Sequence, residues 1–344
     1  MTALATATSG EALLVRADAS ASIGVGHVMR CLALAEAWLG GGGRVIFAVS
    51  EVPDALAACL ERAGAHVLRI STPEATVRAA REHGAAFAVV DGYHLGADYQ
   101  TALAAAGLRL LVVDDAGETA TAAATLVLNQ NAHASCALYA TLSPPPQLLL
   151  GLDYVLLRRE FRDPSPLPEV PDIARRVLVT FGGADTAQLA PRALEALAPL
   201  DGLEVLLVAG SANPRARQLV VPAGARAAIR IEAAVDDMAA RMRATDLALV
   251  AAGGTSWELA TSGVPMLAVA TADNQRGVAA AIAELGIGES LGGAEGLSAS
   301  AIRDAVVCLA ADASARRAMA RRGREVVDGN GAQRVCRALR GEAR

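Results

Sequence analysis

Residues 247–269 have the sequence LALVAAGGTSWELATSGVPMLAV, and this stretch decides the fold class. Its first four residues are all apolar, which is typical of a strand buried on both faces of a parallel sheet. Gly253 and Gly254 then provide a tight turn into a helical segment, which Gly263 and Pro265 end before a second apolar strand. A strand, a glycine turn, a helix and a strand in this order predict a βαβ unit.

Strand-like segments of the same kind recur along the chain, so we predict an α/β fold. The predicted strands are Leu13–Arg16, Val45–Val49, Ala88–Val90, Leu110–Val113, Leu126–Leu128, Val177–Thr180, Glu204–Val208, Leu247–Val250 and Met266–Val269. A first helix is expected from about His27 to Leu39. Only helices are expected after Ser300, with the arginine-rich stretch Arg316–Arg324 on a solvent-exposed face.

A proline-rich segment, DPSPLPEVPD at 163–172, divides the chain into two similar halves. We therefore expect an N-terminal domain at 1–162, a linker at 163–172 and a C-terminal domain at 173–325. A C-terminal helix within 326–344 is expected to pack back on the N-terminal domain. Two Rossmann-like parallel-sheet domains of this kind predict a ligand in a central cleft, near the carboxyl ends of the strands.

Lysine does not occur among the 344 residues, and all 31 basic residues are arginine. This excludes a lysine Schiff base, pyridoxal phosphate held on lysine and a Walker-type phosphate lysine. A bound phosphate must instead be held by backbone N–H groups, hydroxyls, amides or arginine. The formal net charge of −5 argues against a nucleic-acid partner.

Several observations predict a cytoplasmic protein that is not inserted in a membrane. We find no uncharged apolar run of about 20 residues, and Met1–Gly10 lacks the positive charge of a secretory signal. The five cysteines are scattered without CxxC spacing, which favours reduced thiols and argues against a zinc site. We infer no obligate protein partner.

The motif Ile23-Gly24-Val25-Gly26-His27 follows the first strand and opens a helix. Gly24 and Gly26 let a ligand approach the backbone, and the helix N-terminus favours anionic oxygen. The same field disfavours an imidazolium, so His27 is a candidate base. Asp18, across the turn, could orient or polarise a water molecule. Alternatively, His27 caps or packs the helix start and Asp18 is a loop-capping residue.

Polar residues also follow three later strands. Tyr93, in Asp91-Gly92-Tyr93, could hydrogen-bond a sugar hydroxyl or acetamido group, or only pack, while His94 is expected to be a surface residue. For Asp114-Asp115 we favour a structural role over Mg²⁺ binding or acid–base work. The amides of Asn129 and Asn131 suit sugar substituents, although Asn129-Gln130-Asn131 is equally natural as a turn.

The second half carries the most specific signal, which is for a nucleotide. The turn with Gly182 and Gly183 could border a diphosphate, or be purely structural. Gly253, Gly254, Thr255 and Ser256 at a helix start form an anion site without lysine. Glu258, in the first helical turn, can accept hydrogen bonds from both ribose hydroxyls or only compensate the helix dipole. Asn274 and Gln275, after the next strand, could reach the phosphates.

The second-half pattern, with DNQ at 273–275, resembles the donor-binding half of GT-B sugar-nucleotide enzymes. The pattern RADASASIGVGHVMRCLALAEAW at 16–38 narrows the resemblance to one group of these enzymes. With VVDGY, LNQN, GLDYVLLRREF and FGGAD in the same order, the chain resembles the pseudaminic acid pathway hydrolases of UDP-2,4-diacetamido-2,4,6-trideoxy-β-L-altropyranose. These enzymes are related to the MurG-type glycosyltransferases. The resemblance runs from about Leu14 to Gly286.

This resemblance implies a GT-B fold with a catalytic N-terminal domain and a UDP-binding C-terminal domain. It implies hydrolysis to UDP and free sugar by water attack at the anomeric carbon, with C–O cleavage and inversion, and without metal or cofactor. It makes His27 the general base, with Asp18 and Tyr93 as further catalytic candidates. The substrate-binding candidates are Gly24, Gly26, Arg30, Asn129, Asn131, Arg158, Gly182, Gly183, Gly253, Gly254, Thr255, Ser256, Glu258, Asn274 and Gln275.

Three alternatives stay open. The first is a GT-B glycosyltransferase that passes sugar from a UDP-amino-sugar donor to another acceptor. The second is a homologue of the spore-coat polysaccharide proteins with a different UDP-sugar, because Gly92 and the loop Ser135–Pro146 depart from the pattern and could alter the sugar pocket. The third is a nucleotide-sugar binding protein without catalysis, against which the motif containing His27 argues.

Overall fold

The computed structural model describes residues 10–20, 23–162, 165, 167–183, 185, 187–210, 213–233, 235 and 237–342. They form two compact units. The first contains the described residues up to Arg159 together with those from Gly329 onward, and the second runs from Glu160 to Asp328. The chain therefore passes from the first unit to the second and returns at its end.

Each unit contains one parallel sheet. The strands of the first unit are β1 (Ala12–Ala17), β2 (Arg44–Val49), β3 (His66–Arg69), β4 (Ala85–Asp91), β5 (Arg109–Val113), β6 (Leu126–Asn129) and β7 (Gln147–Leu150). The strands of the second are β8 (Arg176–Thr180), β9 (Glu204–Ala209), β10 (Ala228–Ala233), β11 (Leu247–Ala251), β12 (Met266–Ala270) and β13 (Glu289–Gly293). Among the described residues the strand orders are β3-β2-β1-β4-β5-β6-β7 and β10-β9-β8-β11-β12-β13.

Helices connect these strands or, in the case of the last three, follow them. They are α1 (Gly26–Gly40), α2 (Asp54–Arg62), α3 (Pro73–Glu82), α4 (Ala97–Ala105), α5 (Leu189–Leu197), α6 (Met238–Arg243), α7 (Gly254–Thr261), α8 (Arg276–Glu284), α9 (Ala299–Ala311), α10 (Ala313–Val326) and α11 (Gly331–Arg340). None of the helices in the described part of the chain is long and apolar enough to cross a membrane.

The predicted α/β class with parallel sheets is confirmed. All six residues of β1 are buried, as expected for a central strand covered on both faces. The predicted strands are found, with ends that differ by a few residues. β3, β7, β10 and β13 were not predicted, because β3, β10 and β13 are only partly buried and lack a continuous apolar run, and β7 follows the proline run directly.

The last helix, α11, packs in the first unit beside α1. A side chain at Gly331 would place its Cβ only 2.2 Å from the carbonyl oxygen of Val155, so glycine is required at this contact. Near the other end of α11, the guanidinium of Arg340 lies 4.0 Å from the ring centre of Trp38 and donates to Glu11 at 2.9 Å. These contacts hold α11 against the helix that begins next to His27.

The expectation that Arg316–Arg324 lies on a solvent-exposed face is wrong for its first residue. Arg316 is fully buried, and its guanidinium donates to the carbonyl oxygens of Leu309, Pro171 and Asp172 at 3.0, 2.9 and 3.0 Å. α10 thus secures the end of the proline-rich segment to the second unit. Residues 163, 164 and 166 of the predicted linker lie outside the described residues.

Candidate active site

A cluster of charged side chains lies at the carboxyl edge of the first sheet. β4 ends at Asp91, which is paired with Ala17 at the end of β1, and Asp115 follows β5 on the other side of β4. His27 is the second residue of α1, the helix after β1. Because parallel strands present their carboxyl ends at one edge, this topology brings together residues that are 60 to 90 positions apart in sequence.

His27 and Asp91 form a hydrogen-bonded dyad. Nδ1 of His27 lies 2.7 Å from Oδ1 of Asp91, whose side chain is completely buried, while the His27 side chain is 11% exposed. Burial alone would raise the pKa of Asp91, but the charge of Arg30 and hydrogen bonds from Arg30 and His27 hold this pKa well below its usual range. An ionised carboxylate only accepts, so Nδ1 carries the proton and Nε2 has the free lone pair.

Arg30 lies between the two carboxylates. Its Nε and one terminal nitrogen donate to Asp91 at 2.6 and 2.7 Å, and the other terminal nitrogen donates to both oxygens of Asp115 at 2.9 Å. Its side chain is only 14% exposed. From the sequence we predicted that Arg30 binds the substrate. In the structure all three of its side-chain nitrogens donate to carboxylates of the protein.

Tyr93 is the exposed member of the cluster. Its side chain is exposed, and its hydroxyl donates to Asp115 at 3.2 Å. Its ring packs edge-on against the ring of His27, with the two ring centroids 5.2 Å apart. Burial of the hydroxyl and the negative charge of Asp115 raise the pKa of Tyr93 to about 12. Tyr93 therefore stays a phenol at neutral pH and can donate a hydrogen bond beside His27.

The backbone next to His27 is open. Gly24 has a φ of 79° and donates its N–H to the carbonyl of Ser20 at 2.8 Å, which folds the chain back before α1. A Cβ on Gly24 or Gly26 would meet no atom within 4 Å. Within the described residues, no side chain caps the first amides of α1, whose N-cap residue is Val25. An uncapped helix N-terminus of this kind suits an anionic or carbonyl ligand.

Asp18 occupies a structural position, so the geometry favours the loop-capping alternative over a catalytic role. Its Oδ1 accepts from Arg16 at 2.6 Å and from the amides of Ser50 and Glu51 at 2.6 and 3.2 Å. Burial would raise the pKa of Asp18, but Arg16 and these amides lower it to about 2. Its Oδ2 lies 2.7 Å from Nε2 of His94, which is exposed at the surface as predicted.

The loop after β5 separates the two adjacent aspartates. Asp114 accepts hydrogen bonds from five successive backbone amides, those of residues 116–120, which is the structural role favoured from the sequence. Asp115 instead points into the cluster with Arg30. Asn131 donates to Oδ1 of Asp115 at 3.2 Å, and Asn129 donates to its carbonyl oxygen at 3.3 Å. The two amides therefore support Asp115 in this structure.

The second unit offers a separate anion-binding geometry at the start of α7. Gly253 precedes the helix without a side-chain cap, and a Cβ on Gly253 or Gly254 would meet no atom within 4 Å. Ser256 is fully buried, and its hydroxyl has no hydrogen-bond partner among the described residues. Thr255 and Glu258 are half-buried in the same turns. The predicted diphosphate and ribose ligands are thus adjacent to an open helix N-terminus.

Other predicted ligands of the second unit have mixed surroundings. Gly182 has a φ of 75° and, with Gly183, packs against Gly210, where a Cβ would lie 2.3 Å from their carbonyl oxygens. The side-chain oxygen of Gln275 already accepts from the amide and hydroxyl of Thr271 at 2.9 and 3.0 Å. Asn274 is exposed beside it. Arg158, in the first unit, is half-buried.

Solved structures share this architecture over nearly the whole chain. MurG from Acinetobacter baumannii is 17% identical with a TM-score of 0.66, covering 96% of this chain and 99% of its own. A kitacinnamycin glycotransferase is 17% identical with a TM-score of 0.67 and covers 96% and 98%. The spinosyn rhamnosyltransferase SpnG complexed with thymidine diphosphate is 17% identical with a TM-score of 0.63, and the match covers 96% of this chain and 100% of that protein. The chain has the GT-B fold.

A sequence relative is also found. The spore coat polysaccharide biosynthesis protein SpsG of Bacillus subtilis strain 168 is 27% identical over 188 residues, which are 54% of this chain and 56% of that protein. The match thus spans about half the length of this curated relative. No family model matches the chain. The predicted resemblance to GT-B enzymes is confirmed at the level of the fold, and the narrower resemblance to UDP-sugar hydrolases stays a prediction.

Sequence reasoning singled out His27 and Tyr93 but missed Asp91 and Asp115 as members of the same cluster. The available signal was their position, since each directly ends or follows an apolar strand. Strand-end aspartates are also common loop caps, as Asp114 is. The two kinds differ only in their hydrogen-bond partners, because the adjacent residues Asp114 and Asp115 follow the same strand and yet cap a loop and join the cluster, respectively.

Proposed function

We propose that this chain is an inverting enzyme that breaks the anomeric C–O bond of a UDP-sugar and transfers the sugar to an oxygen nucleophile. The single observation that carries the proposal is the His27–Asp91 dyad, with Nδ1 held at 2.7 Å from a buried, ionised carboxylate. Nε2 is then the ring nitrogen that can take a proton from a hydroxyl.

In this reaction His27 removes the proton of the nucleophile as its oxygen attacks the anomeric carbon. The C–O bond to the β-phosphate breaks, its electron pair leaves with UDP, and the imidazolium later returns the proton to solvent. Asp91 stabilises that imidazolium and fixes the ring orientation. The phenol of Tyr93, beside the His27 ring, can donate to the sugar or to the nucleophile.

The second unit would bind the UDP part. An uncapped helix start at Gly253, the unpartnered hydroxyl of Ser256 and the half-buried Glu258 suit a diphosphate and a ribose. The absence of lysine is compatible with this site, because its donors are backbone amides and hydroxyls.

Two nucleophiles are candidates. A hydroxyl group of an acceptor molecule makes the chain a glycosyltransferase, and the names of two solved structures with the same fold, a glycotransferase and a rhamnosyltransferase, favour this choice. Water makes it a hydrolase of UDP-2,4-diacetamido-2,4,6-trideoxy-β-L-altropyranose, which the joint order of the motifs at 16–38, 89–93 and 181–185 favours. Both use the same base and the same leaving group.

The test is incubation of the purified chain with this UDP-sugar and with other UDP-amino sugars in ¹⁸O-labelled water, followed by NMR and mass spectrometry. Label in the free sugar, with none in UDP, supports hydrolysis with C–O cleavage. Sugar transfer only after addition of an acceptor supports the transferase. Label in the released phosphate oxygens, or no turnover of any UDP-sugar in either setting, contradicts the proposal.

The role of His27 is tested with His27→Gln, which should abolish UDP release while UDP still binds in calorimetry. The matched control is His83→Gln, since His83 is a half-buried histidine of the same unit that caps the end of α3, outside the hydrogen-bonded cluster. Turnover of the His27→Gln protein within a few fold of wild type would remove His27 as the base.

A further inference from the structure

Beyond the dyad, Arg30 and Asp115 connect the two exposed functional groups of the first unit. Asp91 holds His27, Asp115 holds the hydroxyl of Tyr93, and Arg30 donates to both carboxylates. The bonds of Arg30 are short, between 2.6 and 2.9 Å, and the cluster is shielded from water, with Arg30 14% and Asp115 22% exposed. In such surroundings charges interact strongly.

The charges of the cluster do not cancel. Asp91 and Asp115 are two carboxylates, and Arg30 is the one cation between them, which leaves a net charge of −1 next to the His27 ring. A terminal nitrogen of Arg30 also lies 3.2 Å from Nδ1 of His27. A positive charge at this distance opposes protonation of the ring, and the negative charge of Asp115 weakens that opposition.

The other titratable groups in contact with the cluster are neutral in the working pH range. The pKa of Tyr93 is raised to about 12 by its burial and by Asp115. Burial and the nearby carboxylate raise the pKa of the Cys31 thiol, whose sulfur lies 3.5 Å from Asp91. Among the described residues, the charged groups of this cluster that α1, β4 and the loop after β5 place around His27 are therefore Arg30, Asp91 and Asp115.

We propose that Arg30 and Asp115 are positioning residues that set the proton affinity of His27, and that neither is a ligand of the substrate. The positive charge of Arg30, 3.2 Å from Nδ1, acts against the attraction between Asp91 and a protonated ring. Asp115 limits this effect and holds Tyr93 beside the ring. As far as catalysis is concerned the proposal rests on the function proposed above, but the titration of His27 does not depend on that function.

The prediction is a pair of shifts with opposite signs. Removal of the cation in Arg30→Met leaves a net charge of −2, so the midpoint of the His27 titration should rise by about one pH unit or more. Asp115→Asn brings the net charge to zero and should lower the midpoint by about half a unit, because Asp115 acts through the intervening guanidinium. A purely structural role would not produce shifts of opposite sign.

The measurement is NMR titration of the isotope-labelled histidine rings, with the His27 signal assigned by its loss in His27→Gln. Arg30→Lys keeps the positive charge but loses the planar set of donors of the guanidinium. The midpoint of the His27 titration in this variant should therefore stay closer to the wild-type midpoint than it does in Arg30→Met. The matched controls are Arg62→Met and Asp54→Asn, which change exposed side chains of the same unit and should leave the midpoint unchanged.

The same variants are then tested for UDP release across pH. The acidic limb of kcat should move with the NMR midpoint, upward for Arg30→Met and downward for Asp115→Asn, while KM changes less than threefold. Arg30→Met removes the cation that compensates the buried charge of Asp91, which can prevent folding. If the Arg30→Met protein does not fold, the shift measured in Asp115→Asn tests the inference by itself.

Equal midpoints in folded Asp115→Asn and wild type, or shifts of the same sign in Arg30→Met and Asp115→Asn, overturn the inference. A large rise in KM without movement of the profile would instead make these residues substrate ligands. If wild type turns over no UDP-sugar, the proposed function fails, but the NMR midpoints still decide the inference about Arg30 and Asp115.

Discussion

Asp91→Asn is the substitution that most directly tests the first unit as a catalytic site. Oδ1 of Asp91 accepts from His27 and from one nitrogen of Arg30, both at 2.7 Å, and Oδ2 accepts from the Nε of Arg30 at 2.6 Å. An amide has only one oxygen. Whichever way Asn is oriented, its NH₂ group meets at least one N–H donor, so at least one charge-assisted hydrogen bond is lost.

The structural consequence can be estimated from these contacts. A hydrogen bond to a charged group contributes about 1.5–3 kcal/mol to stability. The loss of one or two such bonds predicts a fall of about 3 kcal/mol in the free energy of unfolding. One terminal nitrogen of Arg30 still donates to both oxygens of Asp115, so the charge of Arg30 remains compensated and the variant should still fold.

The catalytic consequence follows from the ring tautomer. Without an ionised acceptor, Nδ1 of His27 can accept from Arg30, whose terminal nitrogen already lies 3.2 Å away. The proton then resides on Nε2, and the base is lost. General-base catalysis contributes about 10²–10⁴-fold in rate, so we expect kcat to fall by that factor with KM little changed.

The assay is steady-state UDP release at several pH values, with calorimetric UDP binding and urea unfolding of the same preparations. Asp54→Asn is the matched control, because the side chain of Asp54 is 98% exposed in the same unit. A folded Asp91→Asn protein with kcat within threefold of wild type would refute the dyad as the source of catalysis. A fall in UDP affinity without loss of kcat would assign Asp91 to binding instead.

Three further predictions concern stability and binding. Gly331→Ala should lower the free energy of unfolding in urea by about 3 kcal/mol or more, because the added Cβ would overlap Val155; an unchanged midpoint would contradict the packing of α11. The lowered pKa of Asp18, about 2, contributes about 2 kcal/mol of stability above pH 4 that is lost as the pH falls toward 2, so Asp18→Asn should flatten that acid limb in thermal melts. Ser256→Ala should leave stability unchanged or slightly higher, because it removes an unpartnered buried hydroxyl, while UDP affinity in calorimetry falls about tenfold; equal affinity would exclude this hydroxyl from the site.

The local pattern of the sequence determined the class of fold and the places where a ligand can approach the backbone. Continuous apolar runs determine which segments are buried strands, and glycines such as Gly24 and Gly254 mark strand-to-helix turns, because burial and backbone conformation are properties of neighbouring residues. The helix start next to His27 was predictable in this way, and the structure has it at Gly26.

The tertiary structure decided which side chains act together. His27, Asp91 and Asp115 meet because β1, β4 and β5 are neighbours in the sheet, and no periodicity along the chain encodes that order. The burial of Arg316 has the same origin. An aspartate at a strand end has one local signature whether it caps a loop or holds a histidine, so the partner across the sheet, and not the residue itself, fixes its role.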